Sequence, residues 1–242
     1  MKFLAPLTEG KILKRYKRFL ADIQLSSGEV ITAHTANTGS MKTCWEPGWK
    51  VLISFHDNPK RKLKYSLEMT HNGQTWIGIN TSLPNKLAKE AIENGLIKEL
   101  KGYPFIKPEV KTGNSRIDLL LSKEKETPSK EDQFFVEVKN VTLKGDDHQK
   151  NAALFPDSVS VRGQKHIREL IRLHKEGYKT ALLFIVQRED VDYFTPAKDI
   201  DPLYSSLLNE AAASGVLILA YQCTMSKEGI VVNKSLPVKL NN

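Results

Sequence analysis

Three ionisable residues, Asp118, Glu137 and Lys139, lie in or beside apolar segments and could together form a hydrolytic site. Asp118 belongs to the apolar run 117–121, and Glu137 and Lys139 stand two positions apart in the run 134–141. Residues i and i+2 of a strand point to the same face, so Glu137 and Lys139 project together. If the two runs form a hairpin, Asp118 meets them.

The chemistry suited to these residues is phosphodiester hydrolysis. Two neighbouring carboxylates are costly to ionise together unless a cation lies between them. Mg²⁺ or Mn²⁺ fits this role, because such ions prefer oxygen ligands and keep sites open for water and phosphate. A nearby lysine then orients or deprotonates the attacking water and stabilises the pentavalent phosphate. The alternative is a charged pair on the solvent face of a hairpin.

Additional side chains could complete such a site. Glu90, on a helix that precedes the first apolar run, and Asp157 are the acids that we expect first, although each alone could be a surface carboxylate. Arg162, Lys165 and His166 fall near a predicted helix N-terminus, which favours anions. These three residues therefore either hold a phosphate or form a solvated helix face.

Basic and aromatic residues alternate in the first third of the chain, as in a groove that binds nucleic acid. The basic residues that we expect to contact the phosphate backbone there are Lys14, Arg15, Lys17, Arg18, Arg61 and Lys62. Tyr16, Phe19 and Tyr65 are the neighbouring aromatic residues, of which Phe19 could instead belong to the core. The polar turn 34–41 either presents amides to a phosphate or is held by its own side chains.

Two kinds of secondary-structure pattern must position these residues. Apolar alternation separated by turn signals predicts strands at 11–24, 30–35, 50–55, 64–70 and 75–79. Five short strands in so small a segment favour an OB-like barrel, because closure removes exposed sheet edges. An N-terminal all-β domain over residues 1–83 is therefore expected.

From residue 84 the pattern predicts alternating helices and strands, and therefore an α/β domain with a mixed or parallel central sheet over residues 84–242. The predicted helices cover residues 85–100, 161–176 and 202–214. The predicted strands cover residues 117–121, 134–141, 179–186 and 216–222. The polar stretch 123–132 is predicted to be an exposed hairpin loop.

Composition limits the function classes. The 242 residues are 40% hydrophobic and 26% charged, which is typical of a globular protein, and the absence of a long apolar run predicts a cytoplasmic protein with no membrane partner. Residues 1–84 hold 12 Lys/Arg against 6 Asp/Glu, so most of the net charge of +8 lies in the predicted barrel. Such charge attracts polyanions. Cys44 and Cys223 lack metal-ligand spacing, which predicts buried thiols.

Several stretches together resemble the SfsA family, the sugar fermentation stimulation proteins. The matching stretches are 15–19, 33–34, 37–41, 84–85, 115–118, 136–143, 155–157, 162–166, 169–170 and 201–202. The resemblance implies an OB-like domain followed by a PD-(D/E)XK nuclease-like domain, DNA binding that is largely independent of sequence, and a regulatory role in sugar use. It also implies that Asp118, Glu137 and Lys139 form the metal and catalytic core, joined by a helix acid that we assign to Glu90.

Three hypotheses remain open at this point. The first is a DNA-binding protein with a metal-dependent nuclease-like site, and the second is a non-catalytic DNA-binding regulator that keeps the nuclease scaffold. The third is a barrel that binds a sugar or a protein, because fold alone does not name a ligand. The expected partner is DNA, with RNA as an alternative, and the oligomeric state is left open, a dimer included.

Overall fold

The first third of the chain forms a closed β-barrel. The computed structural model describes residues 1–113 and 115–240. The first six strands are β1 Thr8–Tyr16, β2 Leu20–Leu25, β3 Val30–His34, β4 Lys50–Phe55, β5 Tyr65–His71 and β6 Trp76–Gly78. Strands β1 to β5 form the barrel, which closes where β3 pairs with β5, and β6 pairs with β5 beyond the closure. The predicted five-stranded barrel is confirmed.

One predicted strand was wrong in its extent. The segment 11–24 is not a single strand but the β1–β2 hairpin, which turns at Lys17 and Arg18. Both residues adopt positive φ angles, 48° and 65°, that non-glycine residues rarely take. The turn aligns Ile12 with Ile23 across the hairpin, and both side chains are buried in the barrel core. Burial of the apolar face on both sides of the turn compensates for the strained turn.

The remaining two thirds of the chain form a mixed α/β domain, as predicted. Its helices are α1 Pro84–Glu93, α2 Val161–Lys175 and α3 Pro202–Ala213. Its strands are β7 Phe105–Thr112, β8 Ser115–Ser122, β9 Gln133–Val141, β10 Leu143–Lys144, β11 Ala152–Phe155, β12 Lys179–Val186, β13 Tyr193–Pro196, β14 Leu217–Met225 and β15 Ile230–Ser235. The main sheet has the order β15-β14-β12-β9-β8-β7, and β10, β11 and β13 form a smaller sheet.

The helices cover both faces of the main sheet. Strands β9, β12 and β14 run parallel at its centre, whereas β7, β8 and β15 are antiparallel to their neighbours. Leu87 of α1 packs with Val136 and Val138 in one core cluster. Ile167 of α2 and Leu208 of α3 belong to a second cluster on the other side.

The predicted helix 85–100 is shorter in the structure, because α1 ends at Glu93. Gly95 follows in a left-handed conformation, with a φ of 66°, which commonly terminates a helix. Strand β7 was not predicted, because this edge strand is mostly exposed and lacks an apolar run. Among the residues that the structure describes, none of the helices has the length and apolarity needed to cross a bilayer.

A buried arginine joins the barrel to the C-terminal domain. Arg188, only 1% exposed, forms two ion-pair contacts with Asp190, at 2.7 Å and 2.9 Å. Its Nη1 atom also donates to the carbonyl oxygen of Thr142 at 2.7 Å and to Oγ1 of Thr43, in the barrel, at 3.1 Å. The two domains are therefore held together by charge-assisted hydrogen bonds in a dry environment.

Candidate functional site

The β8–β9 hairpin brings Asp118 beside Glu137. Leu119 pairs with Val136 in this antiparallel register, so Asp118 and Glu137, the residues that follow this pair, lie next to each other. The carboxylate of Asp118 accepts the backbone N–H of Val138 through Oδ2 at 2.8 Å. These contacts give the predicted hairpin and fix the position of the first acid.

The carboxylate of Glu137 is the most buried group of the site. Its side chain is 2% exposed, and its Oε1 atom accepts a hydrogen bond from Nζ of Lys139 at 2.6 Å. Nδ1 of His166, from the second turn of α2, contacts the same oxygen. The other oxygen, Oε2, is buried without a hydrogen-bond partner. Glu137 therefore keeps one buried acceptor without a partner.

The two carboxylates have pKa values shifted in opposite directions. Burial, and then the charge of Glu137, raises the pKa of Asp118 above its ordinary value. Burial also acts to raise the pKa of Glu137, but the hydrogen bond from His166 and the charge of Lys139 outweigh it and lower that pKa. A cation between the carboxylates would relieve the repulsion that raises the pKa of Asp118.

The residues present suit a hard divalent cation. Asp118 and Glu137 would hold it, because Glu137 offers the unpartnered Oε2 and Asp118 lies beside it. Within the described part of the chain, no group of three or more His, Cys, Asp or Glu residues is arranged to hold a metal. Waters and phosphate oxygens would therefore supply the remaining ligands, as is usual for Mg²⁺.

Glu90 does not join these residues, contrary to the expectation that it completes the metal site. Its Oε1 atom pairs with the N-terminal ammonium of Met1 at 2.7 Å, and this ammonium also donates to the carbonyl of Ile230. The helix residue that reaches Asp118 is instead Asn85, whose Nδ2 atom donates to Oδ1 at 2.8 Å.

The structure also places residues 1–3 against the C-terminal domain, although the barrel was predicted to begin at residue 1.

Asp157 contacts the barrel rather than the two carboxylates. Its Oδ2 atom accepts hydrogen bonds from the backbone N–H and the hydroxyl of Ser40, at 3.2 Å and 3.3 Å. A cavity of about 250 Å³ lies between the domains here, lined by Asp157, Thr38 and Asn140, among others. Because Asn140 directly follows Lys139, this cavity borders the strand that carries the site.

The N-terminus of α2 is capped by protein groups. Ser160 accepts the N–H of Gly163 through its hydroxyl at 3.1 Å, and Asp201 accepts the N–H of Ser160 at 2.9 Å. Arg162 and Lys165 are exposed on the first turns, as a phosphate contact would require. His166 differs from both, because it is buried against Glu137.

Arg15 and Arg18 of the barrel both contact the loop 37–39. Arg15 donates to the carbonyl oxygens of Asn37 and Gly39, each at 3.0 Å, and burial lowers its pKa. Arg18 donates through Nε to the carbonyl of Thr38 at 2.9 Å. Both arginines therefore support this loop, and a phosphate contact by either of them stays a prediction.

Of the other predicted barrel residues, three are exposed and Arg61 is partly buried. Lys14 is exposed and pairs with Asp22 at 3.3 Å, and Lys17 lies on the exposed turn of the first hairpin. Arg61 donates to the hydroxyl of Ser66 at 2.9 Å, and Lys62 is exposed.

The turn 34–41 is fixed by side chains, so the second of its two interpretations fits. The amide of Gly39 donates to Oδ1 of Asn37 at 2.9 Å, and that of Ser40 donates to Asp157.

Cys44 and Cys223 are both buried, as predicted, and burial raises the pKa of Cys223 to about 12.

Sequence reasoning missed the role of Asn85 at the site. The sequence predicts a helix that starts at Asn85, and α1 does begin next to it, at Pro84. The matching stretch 84–85 is the signal that could have drawn attention to Asn85. Whether Asn85 or Glu90 reaches that aspartate depends on how the helix is rotated against the sheet, which its sequence pattern does not reveal.

Comparisons with known proteins agree over the whole chain. Residues 13–79 match the family model described as "SfsA N-terminal OB domain", and residues 82–229 match "Sugar fermentation stimulation protein RE domain". The chain is 49% identical to the "Sugar fermentation stimulation protein homolog" of Geotalea uraniireducens (strain Rf4), covering 99% of this chain and 100% of the relative. It is 51% identical to that of Geotalea daltonii, with 99% and 100% coverage.

A solved structure shares the fold. It is described as "The structure of Pyrococcus Furiosus SfsA in complex with Ca2+", and it matches 99% of this chain and 98% of its own with a TM-score of 0.85 and 32% identity. The whole arrangement of barrel and α/β domain is therefore similar in the two proteins.

Proposed function

The chain belongs to the sugar fermentation stimulation protein family, and on that premise we propose that it is a DNA-binding protein, largely independent of sequence, with a divalent-cation-dependent phosphodiester-hydrolysing site. The observation that carries the proposal is the convergence of Asp118, Glu137 and Lys139 on one end of the β8–β9 hairpin. Buried carboxylates with an unpartnered oxygen are expensive for the fold unless they serve a ligand.

Two further observations support the proposal. The first 84 residues carry twice as many basic as acidic residues, which suits a polyanionic partner. The Pyrococcus furiosus relative is described in complex with Ca²⁺, another divalent cation that prefers oxygen ligands.

Each residue has a distinct role in the proposed reaction. A divalent cation held by Asp118 and Glu137 would polarise the phosphate and acidify a water. Lys139 holds its ammonium beside Glu137, where it stabilises negative charge on the phosphate oxygens. Asn85 and the N–H of Val138 hold Asp118 in one orientation, and His166 holds Glu137, so neither acid needs to reorganise during the reaction.

A cleavage assay tests the proposal directly. The protein is incubated with single-stranded, duplex and branched DNA and with RNA, with and without Mn²⁺. We expect cation-dependent cleavage by the wild type that Asp118→Ala and Lys139→Met abolish. Lys234→Met, which removes an exposed lysine from edge strand β15, is the matched control and should cleave normally. A wild-type preparation that cuts none of these substrates would refute hydrolysis.

A second function, a non-catalytic DNA-binding regulator of sugar metabolism, is favoured by one observation. The α1 side chain at Asp118 is the amide of Asn85, whereas Glu90 is engaged by Met1. A site with one acid fewer is a weaker cation site. In this case DNA binding survives in Asp118→Ala and Lys139→Met, falls as the salt concentration rises, and no preparation cleaves DNA.

A further inference from the structure

An open groove on the barrel lies outside the hydrolytic site. It has a volume of about 520 Å³ and is lined by Phe19, Leu20, His34, Arg61, Lys62 and Leu63. It spans the turn between β1 and β2, the end of β3 and the β4–β5 connection. The following inference about its ligand rests on the proposed DNA binding.

The groove presents an aromatic ring to solvent. Phe19 is 43% exposed and lies in the turn directly before strand β2. The ring of His34 lies beside it, with 6.4 Å between the ring centroids and 40° between the planes. Exposed ring faces of this kind are platforms on which nucleobases stack.

Positive charge also lines the groove. Arg61 and Lys62 are lining residues, Arg61 is oriented by its 2.9 Å hydrogen bond to Ser66, and Lys62 is exposed. Rings and cations in one groove match the bases and the phosphate backbone of a nucleotide strand.

The groove lies beside the turn that contacts the barrel loop 37–39. Arg18 adjoins Phe19 and donates to the carbonyl of Thr38, which lines the cavity of about 250 Å³ between the domains. The turn that carries Phe19 is therefore fixed against this loop.

We propose that this groove binds single-stranded DNA, with one base stacked on Phe19. Single strands are favoured because their bases expose ring faces. In a duplex each base is already stacked on its neighbours, and freeing it costs a few kcal/mol.

Fluorescence anisotropy with a labelled oligo-dT strand and a labelled duplex of equal length tests the proposal. We expect the wild type to bind the single strand more tightly. Phe19→Ala should weaken single-strand binding by about 5- to 150-fold, the equivalent of one lost base stack. Duplex binding should change little, and the salt dependence should stay the same, because phenylalanine carries no charge.

Two variants separate stacking from unfolding. Phe19→Trp keeps a stacking ring and should retain single-strand binding. Phe105→Ala removes a phenylalanine that is similarly exposed, at 39%, but lies on edge strand β7 of the other domain. It should bind like the wild type, within about twofold. Circular dichroism during heating verifies that each variant is folded.

The outcomes distinguish this inference from the proposed function. Tighter binding of duplex than of single strand by the wild type overturns the single-strand inference and leaves DNA binding intact. Equal losses for both DNA forms in Phe19→Ala, or no loss in either, also overturn it. Tighter binding of oligo-U RNA than of oligo-dT overturns the choice of DNA. Failure of the wild type to bind any of these oligonucleotides refutes the proposed function itself.

Discussion

Replacing Lys139 by methionine should destabilise the folded protein, because Glu137 would lose a charged partner in a buried environment. Methionine keeps an unbranched apolar side chain, so the change removes the ammonium with little change in packing. In the structure this ammonium lies 2.6 Å from Oε1 of Glu137, and the two side chains are 12% and 2% exposed.

The expected loss follows from these contacts. Removing one partner of a buried ion pair typically costs about 3–5 kcal/mol. His166 still contacts the same oxygen in the variant, and Lys139 is partly accessible to water. The expected loss is therefore smaller, about 2–3 kcal/mol. For a chain of this length it lowers the melting temperature by about 4–12 °C.

The loss should also depend on pH in a defined direction. Because the folded-state pKa of Glu137 lies below its ordinary value of 4.5, ionised Glu137 stabilises the fold above that pH. This contribution disappears as the pH falls through the folded-state pKa, where Glu137 becomes protonated. The difference in the free energy of unfolding between wild type and Lys139→Met should therefore be largest at neutral pH and shrink below about pH 4.5.

Urea unfolding followed by circular dichroism, at neutral and acidic pH, measures the difference. Lys234→Met, which removes an exposed lysine, should stay within about 0.5 kcal/mol of the wild type. A loss in Lys139→Met no larger than in this control, or an equal loss at acidic and neutral pH, would refute the reasoning.

Three other predictions follow from the same structure. Arg188→Met removes the arginine from buried Asp190, which keeps Lys144 at 3.1 Å, and should cost about 2–4 kcal/mol in urea unfolding, and a loss below about 1 kcal/mol would contradict the buried ion pair. Mn²⁺ at about 100 times its dissociation constant should raise the melting temperature by about 5–10 °C in the wild type, and an equal rise in Asp118→Ala would exclude that residue as a ligand. Lys62→Ala should weaken binding to all DNA sequences alike and reduce the salt slope by about one, and a sequence-dependent loss in a binding titration would contradict a phosphate contact.

Local sequence patterns determined much of the fold. Strand β12 has the predicted bounds, and α2 and α3 end within one residue of their predicted ends. Both helices also begin at the predicted residue, because Ser160 and Asp201 satisfy free N–H groups near the starts of their own helices. The pairing of Asp118 with Glu137 was also accessible, since strand alternation and one hairpin are enough to bring the two together.

Turn strain and helix rotation were decided only by the tertiary structure. No glycine, proline, asparagine or aspartate marks the turn at Lys17 and Arg18, and packing of the barrel core imposes the left-handed backbone there. Which α1 residue meets Asp118 depends on how that helix is rotated against the sheet.

Contacts between distant segments were likewise beyond the reach of local patterns. Glu90 pairs with the ammonium of Met1, which lies 89 residues away, and Asp157 supports Ser40 across 117 residues. Periodicity specifies which face of an element is apolar, but not which element packs against that face. The sequence alone thus determined most barrel strands, the central strands of the main sheet, the capped helices and the Asp118–Glu137–Lys139 cluster. The partners of Glu90 and Arg15 and the groove around Phe19 depended on tertiary packing, and the contact of Asp157 with Ser40 depended on how the two domains pack together.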